Sequence, residues 1–382
     1  MLRGALLATV AVSAVLSFGV SASAQDLQLP KQISWTAYDT GSSGFNIAVA
    51  IGQQAKKHGA DVRVLAASND TARLAPLRSG RAAASAMGTG VFYAQEGVYE
   101  FGTREWGPQA VRIMMSSISC NGTTVGVAKD TGFKEVKDLK GKRVAVVVGS
   151  PALTQNAMAI LAFGGLTAKD VKIVEFSGYG AMWKGIVNNE ADAGFASTIS
   201  AQPKEVETSP RGLVWAPTPA SDKAGWERIM KMAPYYQPHQ VTCGAGISKD
   251  KPLDGATFAY PIFTAYGNAA DDQVYAMTKL MIMEYPNYKD SAPGADGFDV
   301  KKQSLEWAVP YHAGAVKALK EAGVWTDKAE KHNQALIKRQ DVLAQAWKAY
   351  NESKPADDKF LAGWMSARGA ALKKAGLDVV IE

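Results

Sequence analysis

The chain has 382 residues, 47% of them apolar and 20% charged, and a net charge of +6 that is interspersed rather than gathered. No basic stripe alternates with aromatics, so a nucleic-acid partner is not expected. Four scattered histidines (His58, His239, His312, His332) and two cysteines lack the tight spacing of a ligand set, which argues against a metal, and no cofactor motif stands in the chain.

The chain opens with Met1-Leu2-Arg3, runs apolar from Ala5 to Val20 and reaches Ala22-Ser23-Ala24. A basic start, a short apolar core and an A-x-A exit predict a secretory signal over 1–24, cut after Ala24, and hence a periplasmic protein. The apolar core is shorter than the ~20 residues of a spanning helix. What remains exceeds the ~250–300 residues at which single cores stop growing, so two lobes are expected. In an exported chain the pair Cys120 and Cys243 suits a disulfide, with two buried thiols as the alternative.

From Ile33 to Ala37 apolar residues alternate as in a strand, which breaks into Thr40-Gly41-Ser42-Ser43-Gly44 before an apolar-periodic helix over about 45–58. A strand at 62–66 leads through Ser68-Asn69-Asp70-Thr71 to a helix over 72–79. A short strand at 82–87 leads through Gly88-Thr89-Gly90 to a helix carrying Val91, Phe92 and Tyr93. Three βα units thus follow one another, each strand ending in small or hydroxyl residues at a helix N-terminus. Strands are predicted at 111–118 and 124–128, and a short helix at 133–140. The Val/Ala run 144–148 has the continuous apolar character of a parallel strand. It ends at Gly149-Ser150-Pro151 before a helix over 152–163, which repeats the device a fourth time. Strands at 171–176 and 191–195 enclose a helix over 182–188. Residues 206–219 and the Pro234–His239 stretch read as loops. The run 257–265 reads as a strand that Pro261 confines to an edge or a crossing. A helix follows over 271–285, and from Leu305 the chain reads as helix, with long segments at 327–350 and 359–374.

No nucleophile elbow or phosphate loop is present: Gly41-Ser42-Ser43-Gly44 is one residue short of Gly-x-Ser-x-Gly, and Gly141-Lys142-Arg143 has no second glycine five residues upstream. His239 and His312 are the candidate general bases for an exported hydrolase, without a nucleophile to serve. The recurring small polar turns instead supply N–H groups and hydroxyls at strand ends, where open α/β sheets bind ligands. Phe45, Phe92, Tyr179, Trp183, Phe195, Tyr235 and Tyr236 are the aromatics placed to wall such a cleft.

The order of segments resembles the periplasmic solute-binding receptors of TRAP transporters of the TAXI type. The resemblance rests on Tyr38–Gly44, on Ala66–Leu74 with Leu77–Thr89, on Phe133–Pro151 with Val187–Phe195, and on Asp271–Leu280 with Val309–Ala315. It implies an α/β, type II-like two-lobed binding protein, each lobe a mixed sheet flanked by helices, with a helical C-terminal extension over 326–382. Lobe 1 would comprise 26–118 plus 252–382 and lobe 2 residues 119–251, hinged near Ser119 and Lys251. It implies no catalysis: a small organic, acidic solute is captured between closing lobes and delivered to ion-gradient-driven membrane permease subunits. A receptor for an ATP-driven (ABC) importer is the alternative. Carried over by residue, the ligand site comprises Thr40, Ser42, Ser43 and Phe45, then Asn69 and Thr71, and Gly88 and Thr89. From the second lobe come Ser150, Thr154 and Gln155, with Tyr179, Trp183 and Ser197. Arg73 and Arg112 are the candidates to clamp a carboxylate.

Overall fold

In a computed structural model, which describes residues 27–381, β1 (Gln32–Ala37) buries Ile33, Trp35 and Ala37 as their alternation predicts. The leader expected over 1–24 lies outside the described residues. α1 (Ser43–Gln54) follows β1, and β2 (Asp61–Ala66) precedes α2 (Asp70–Arg78). β3 (Ala84–Met87) precedes α3 (Gly90–Glu96), and β4 (Val111–Ser116) comes next. β1 pairs in parallel with both β2 and β3.

The chain then crosses to a second sheet built from β5 (Thr123–Ala128), β6 (Arg143–Val147), α4 (Pro151–Phe163), β7 (Lys172–Phe176), α5 (Tyr179–Val187), β8 (Ala193–Ser197), α6 (Ala201–Thr208) and β9 (Leu213–Trp215). Its strand order is β7-β6-β8-β5-β9, with β6 parallel to both neighbours and β5 antiparallel to both of its own. After α7 (Lys223–Met232), β10 (Gln237–Val241) and β11 (Leu253–Thr257) form an antiparallel ribbon. β12 (Ile262–Tyr266) then returns to the first sheet, between β3 and β4 and antiparallel to each, giving the order β2-β1-β3-β12-β4. Two mixed sheets flanked by helices therefore make the two-lobed α/β architecture that the sequence implies.

The two passages between the sheets are bonded to each other: the Ser117 N–H donates to the Pro261 carbonyl at 3.0 Å and the Tyr260 N–H to the Ser117 carbonyl at 2.7 Å. Cys120 and Cys243 form a disulfide beside them, with Cα atoms 5.5 Å apart. Of the alternatives for that pair, the disulfide holds.

α8 (Asp271–Met283), α9 (Tyr285–Tyr288) and α10 (Ala313–Glu321) cover the first sheet's side of the molecule, and α11 (Asp327–Glu352) with α12 (Phe360–Lys374) forms the C-terminal extension. The extension docks on the end of α3. Arg339 grips the buried Glu96 carboxylate through two bonds of 2.7 Å, Arg368 adds a third, and the Trp364 indole N–H donates to the Gly97 carbonyl at 2.6 Å. Among the described residues no helix is long and apolar enough to cross a membrane.

Some local expectations change. The helix expected over 133–140 is a single 3₁₀ turn, Val136–Leu139, because Glu135 and Asp138 close a capping box over only four residues. The two stretches read as loops contain strands, β9 and β10. β10 carries Pro238 and is largely exposed, so it has no apolar alternation and exists through its pairing with β11. Pro261 divides the expected 257–265 strand: β11 ends at Thr257 and β12 begins at Ile262, with Pro261 in the passage between.

Candidate functional site

The carboxyl ends of β1 and β3 face those of β6 and β8 across a small cavity. From the first lobe, Tyr38 follows β1, Ser42 caps α1, and Gly88 and Thr89 follow β3. From the second lobe come Ala152, Leu153 and Asn156 on the first turns of α4, Tyr179 at the start of α5, and Phe195 to Ser197 at the end of β8. Thr123 opens β5, and Phe258 and Tyr260 line the cavity from the passage between the sheets.

Five aromatic rings wall this space. Tyr38 and Tyr260 meet edge to face at 5.7 Å between ring centres, Phe258 meets Tyr260 the same way at 6.2 Å, and Phe195 lies nearly parallel to Phe258 at 6.5 Å. No lining side chain is charged. Burial pushes the hydroxyls of Tyr38, Tyr179 and Tyr260 above the ordinary tyrosine range, so they stay protonated. Thr123 Oγ1 and Tyr179 Oη, on residues 1% and 4% exposed, have no hydrogen-bond partner. A buried hydroxyl left unpaired costs about 1–3 kcal/mol, which a hydrogen-bonding guest would recover. Ser42, Thr89 and Ser197 already accept bonds, from the Phe45 N–H, Asn156 and Asn121, and each keeps a proton to donate.

Charge lies one step behind the wall. Asp70, fully buried, accepts from the Ala152 N–H at 2.8 Å and from the Ser150 hydroxyl at 3.2 Å, so a first-lobe carboxylate sits on the N-terminus of second-lobe helix α4. Arg73 donates to the other oxygen of Asp70 and to the Ala67 carbonyl, and its guanidinium lies 3.6 Å from the centre of the Tyr38 ring, with Nε unpartnered. Asp39 repeats the device on α5, accepting from the Gly180 N–H at 3.0 Å. At α6 the Ala201 N–H and Gln202 donate to the carbonyls of Gly41 and Thr40. A chain of bonds also crosses the cleft: Tyr93 meets Tyr235 at 2.7 Å, Tyr235 donates to Asn156 at 2.8 Å, and Asn156 donates to Thr89 at 2.9 Å.

Of the residues expected at a ligand site, Ser42, Gly88, Thr89, Tyr179 and Ser197 line the cavity. Thr40, Ser43, Asn69, Thr71 and Ser150 belong instead to the seam between the lobes. Ser43 bonds Ser200 at 3.3 Å, the Thr71 N–H donates to the Gly149 carbonyl, and Asn69 caps α2. Phe45, Thr154 and Gln155 are half-buried outside the cavity, the last two on the turns of α4 where the neighbouring Asn156 faces it. Trp183 is buried behind the wall against Tyr179 and Trp215. Arg112 bonds Gln340 in the C-terminal extension, away from the cleft. His312 caps α10, accepting from the Gly314 N–H at 3.1 Å, and His239 lies on the β10 ribbon. Neither lines the cavity.

The sequence reading passes over Tyr38, Thr123, Asn156, Phe258 and Tyr260. Asn156 lies one position beyond Gln155 on the same helix. Phe258 and Tyr260 precede Pro261, and an aromatic pair at a proline-marked crossing is the signal that could have pointed to them.

This fold, with a cavity lined from both lobes, is the two-lobed architecture of periplasmic binding proteins. Residues 36–323 match the profile of the NMT1-like family, and the chain belongs to that family. No curated protein sequence matches it significantly. Among solved structures it is similar to the alkanesulfonate-binding protein SsuA from Xanthomonas axonopodis pv. citri bound to MOPS, at 15% identity over 84% of this chain and 93% of that one, with a TM-score of 0.41. An ABC-transporter periplasmic binding protein from Brucella ovis with glutathione bound is 11% identical over 71% of this chain and 77% of that one, with a TM-score of 0.41. Tv2483 bound to L-arginine is 11% identical over 70% and 92%, with a TM-score of 0.45. These likenesses are of fold and do not bear on the ligand. The family match stops short of α11 and α12.

Proposed function

We propose that the protein is an extracytoplasmic receptor that closes its two lobes around a small organic solute and hands it to a membrane permease, without catalysis of its own. The observation that carries this is the cavity shared by both lobes, with unpaired Thr123 and Tyr179 hydroxyls in its wall. The leader over 1–24 and the Cys120–Cys243 disulfide support a periplasmic site of action. A solute that binds the closed arrangement better than the open one shifts the population toward closure.

The resemblance carried by 38–44, 66–89, 133–151, 187–195, 271–280 and 309–315 speaks for the TRAP type of permease, and an ATP-driven importer is the rival on the same fold. Neighbouring genes for a large multi-spanning permease favour the first, and a gene for an ATPase the second. Solution scattering with and without candidate solutes tests the receptor reading itself. Compaction accompanied by a rise in melting temperature is expected, and flat responses across a broad panel of acids, amino acids and neutral compounds, with no small molecule co-purifying, would refute it.

A further inference from the structure

We infer that the cleft selects an uncharged aromatic solute bearing a hydrogen-bond acceptor, such as an amide or carbonyl, in place of the acidic solute that the turn chemistry suggests. This rests on the receptor reading of the cavity. Its wall presents five rings and neutral hydroxyls, and no cation. The groups that would hold an anion are already engaged by the protein's own carboxylates. Asp70 occupies the N–H of Ala152 at the start of α4, and Asp39 that of Gly180 in α5. Arg73, 1% exposed, is paired with Asp70 and does not line the cavity. With Asp39, Asp70 and Arg73 as the charges behind the wall, the cleft's surroundings sum to one negative charge, which disfavours an anion. A buried carboxylate guest without a counter-charge would keep its desolvation penalty uncompensated.

An uncharged guest incurs none of this. Its ring meets the edges and faces of Tyr38, Phe195, Phe258 and Tyr260. Its acceptor meets hydroxyls able to donate: Ser42, Thr89 and Ser197 accept from within the protein, and Thr123 and Tyr179 make no well-formed bond to it.

The test is calorimetric titration of the oxidised, leader-free protein with three ring-matched probes: benzamide, benzoate and benzylammonium. Benzamide is expected to bind at least tenfold more tightly than either ion. Equal or tighter binding of benzoate or of benzylammonium overturns the inference and leaves the receptor reading intact. Silence from all three overturns the aromatic class, while compaction in scattering with any other solute would still uphold a receptor. Asp70→Asn frees Arg73 and the α4 terminus, so the ratio of benzoate to benzamide affinity should rise at least tenfold; an unchanged ratio in a folded variant overturns the inference. Should Asp70→Asn fail to fold, Asp39→Asn, at a half-exposed position, is expected to move the ratio the same way through Gly180, and no movement there is equally decisive.

Discussion

Two arginines converge on Glu96, 0% exposed, and the carboxylate shows how much a single side chain can hold. Burial would push its carboxyl up, and the hydrogen bonds and charges of Arg339 and Arg368 outweigh that and hold it below its ordinary value. Glu96→Gln strands both guanidiniums and is expected to cost about 3 kcal/mol in urea unfolding. Asp192 is the acid-sensitive counterpart in the second lobe. Burial opposes ionisation there too, yet bonds from Arg143 and Arg211 bring its carboxyl down to about 2. A carboxyl depressed on folding contributes stability that is fully present above its unfolded value near 4 and is lost as the pH falls toward 2. That contribution is about 2 kcal/mol, and Asp192→Asn should flatten the unfolding free energy over that window. In the cavity wall, a Cβ on Gly88 would lie 2.6 Å from the Tyr38 hydroxyl. Gly88→Ala should therefore displace the ring beneath Arg73, cost about 1–3 kcal/mol by overpacking, and weaken solute binding more than it lowers the melting temperature.

At the scale of elements, the strand–turn–helix units were legible because each is local. Apolar runs end in Gly, Ser, Thr or Asn that both stop a strand and cap a helix, so β1 through α3 and β6 with α4 fall within a few residues of their expected bounds. β9 and β10 were not, since a short or exposed strand carries no alternation and is defined by its partner, β5 for β9 and β11 for β10. Distance in sequence hid half of the site. Asp70 reads as part of a helix-capping turn, and nothing local shows that its carboxylate will reach Ala152 in the other lobe. Tyr38 and Tyr260 were not singled out, because their place in a wall depends on two lobes meeting. The extension α11–α12 was legible as helix, and its consequence follows from its docking. Deleting residues 326–382 removes both arginine partners of Glu96 and the Trp364 bond to Gly97, and is expected to leave a chain that melts many degrees lower by circular dichroism or does not accumulate.

For the whole molecule, the disulfide joins residues 123 apart in sequence beside both passages between the lobes. Replacing both cysteines by serine should lower the unfolding free energy by about 5 kcal/mol on loop entropy, measured in urea under non-reducing conditions. The place of β12 has a different consequence, for the order of assembly. Its residues 262–266 are the wedge between β3 and β4, and the second sheet, 123–215, is encoded wholly before them. The first sheet therefore stays in two pieces until residues 262–266 join it. The second can close earlier on shorter loops. Pulse-labelled hydrogen exchange during refolding should find β5, β6 and β8 protected ahead of β4 and β12. A lobe that begins the chain would be the last to finish folding.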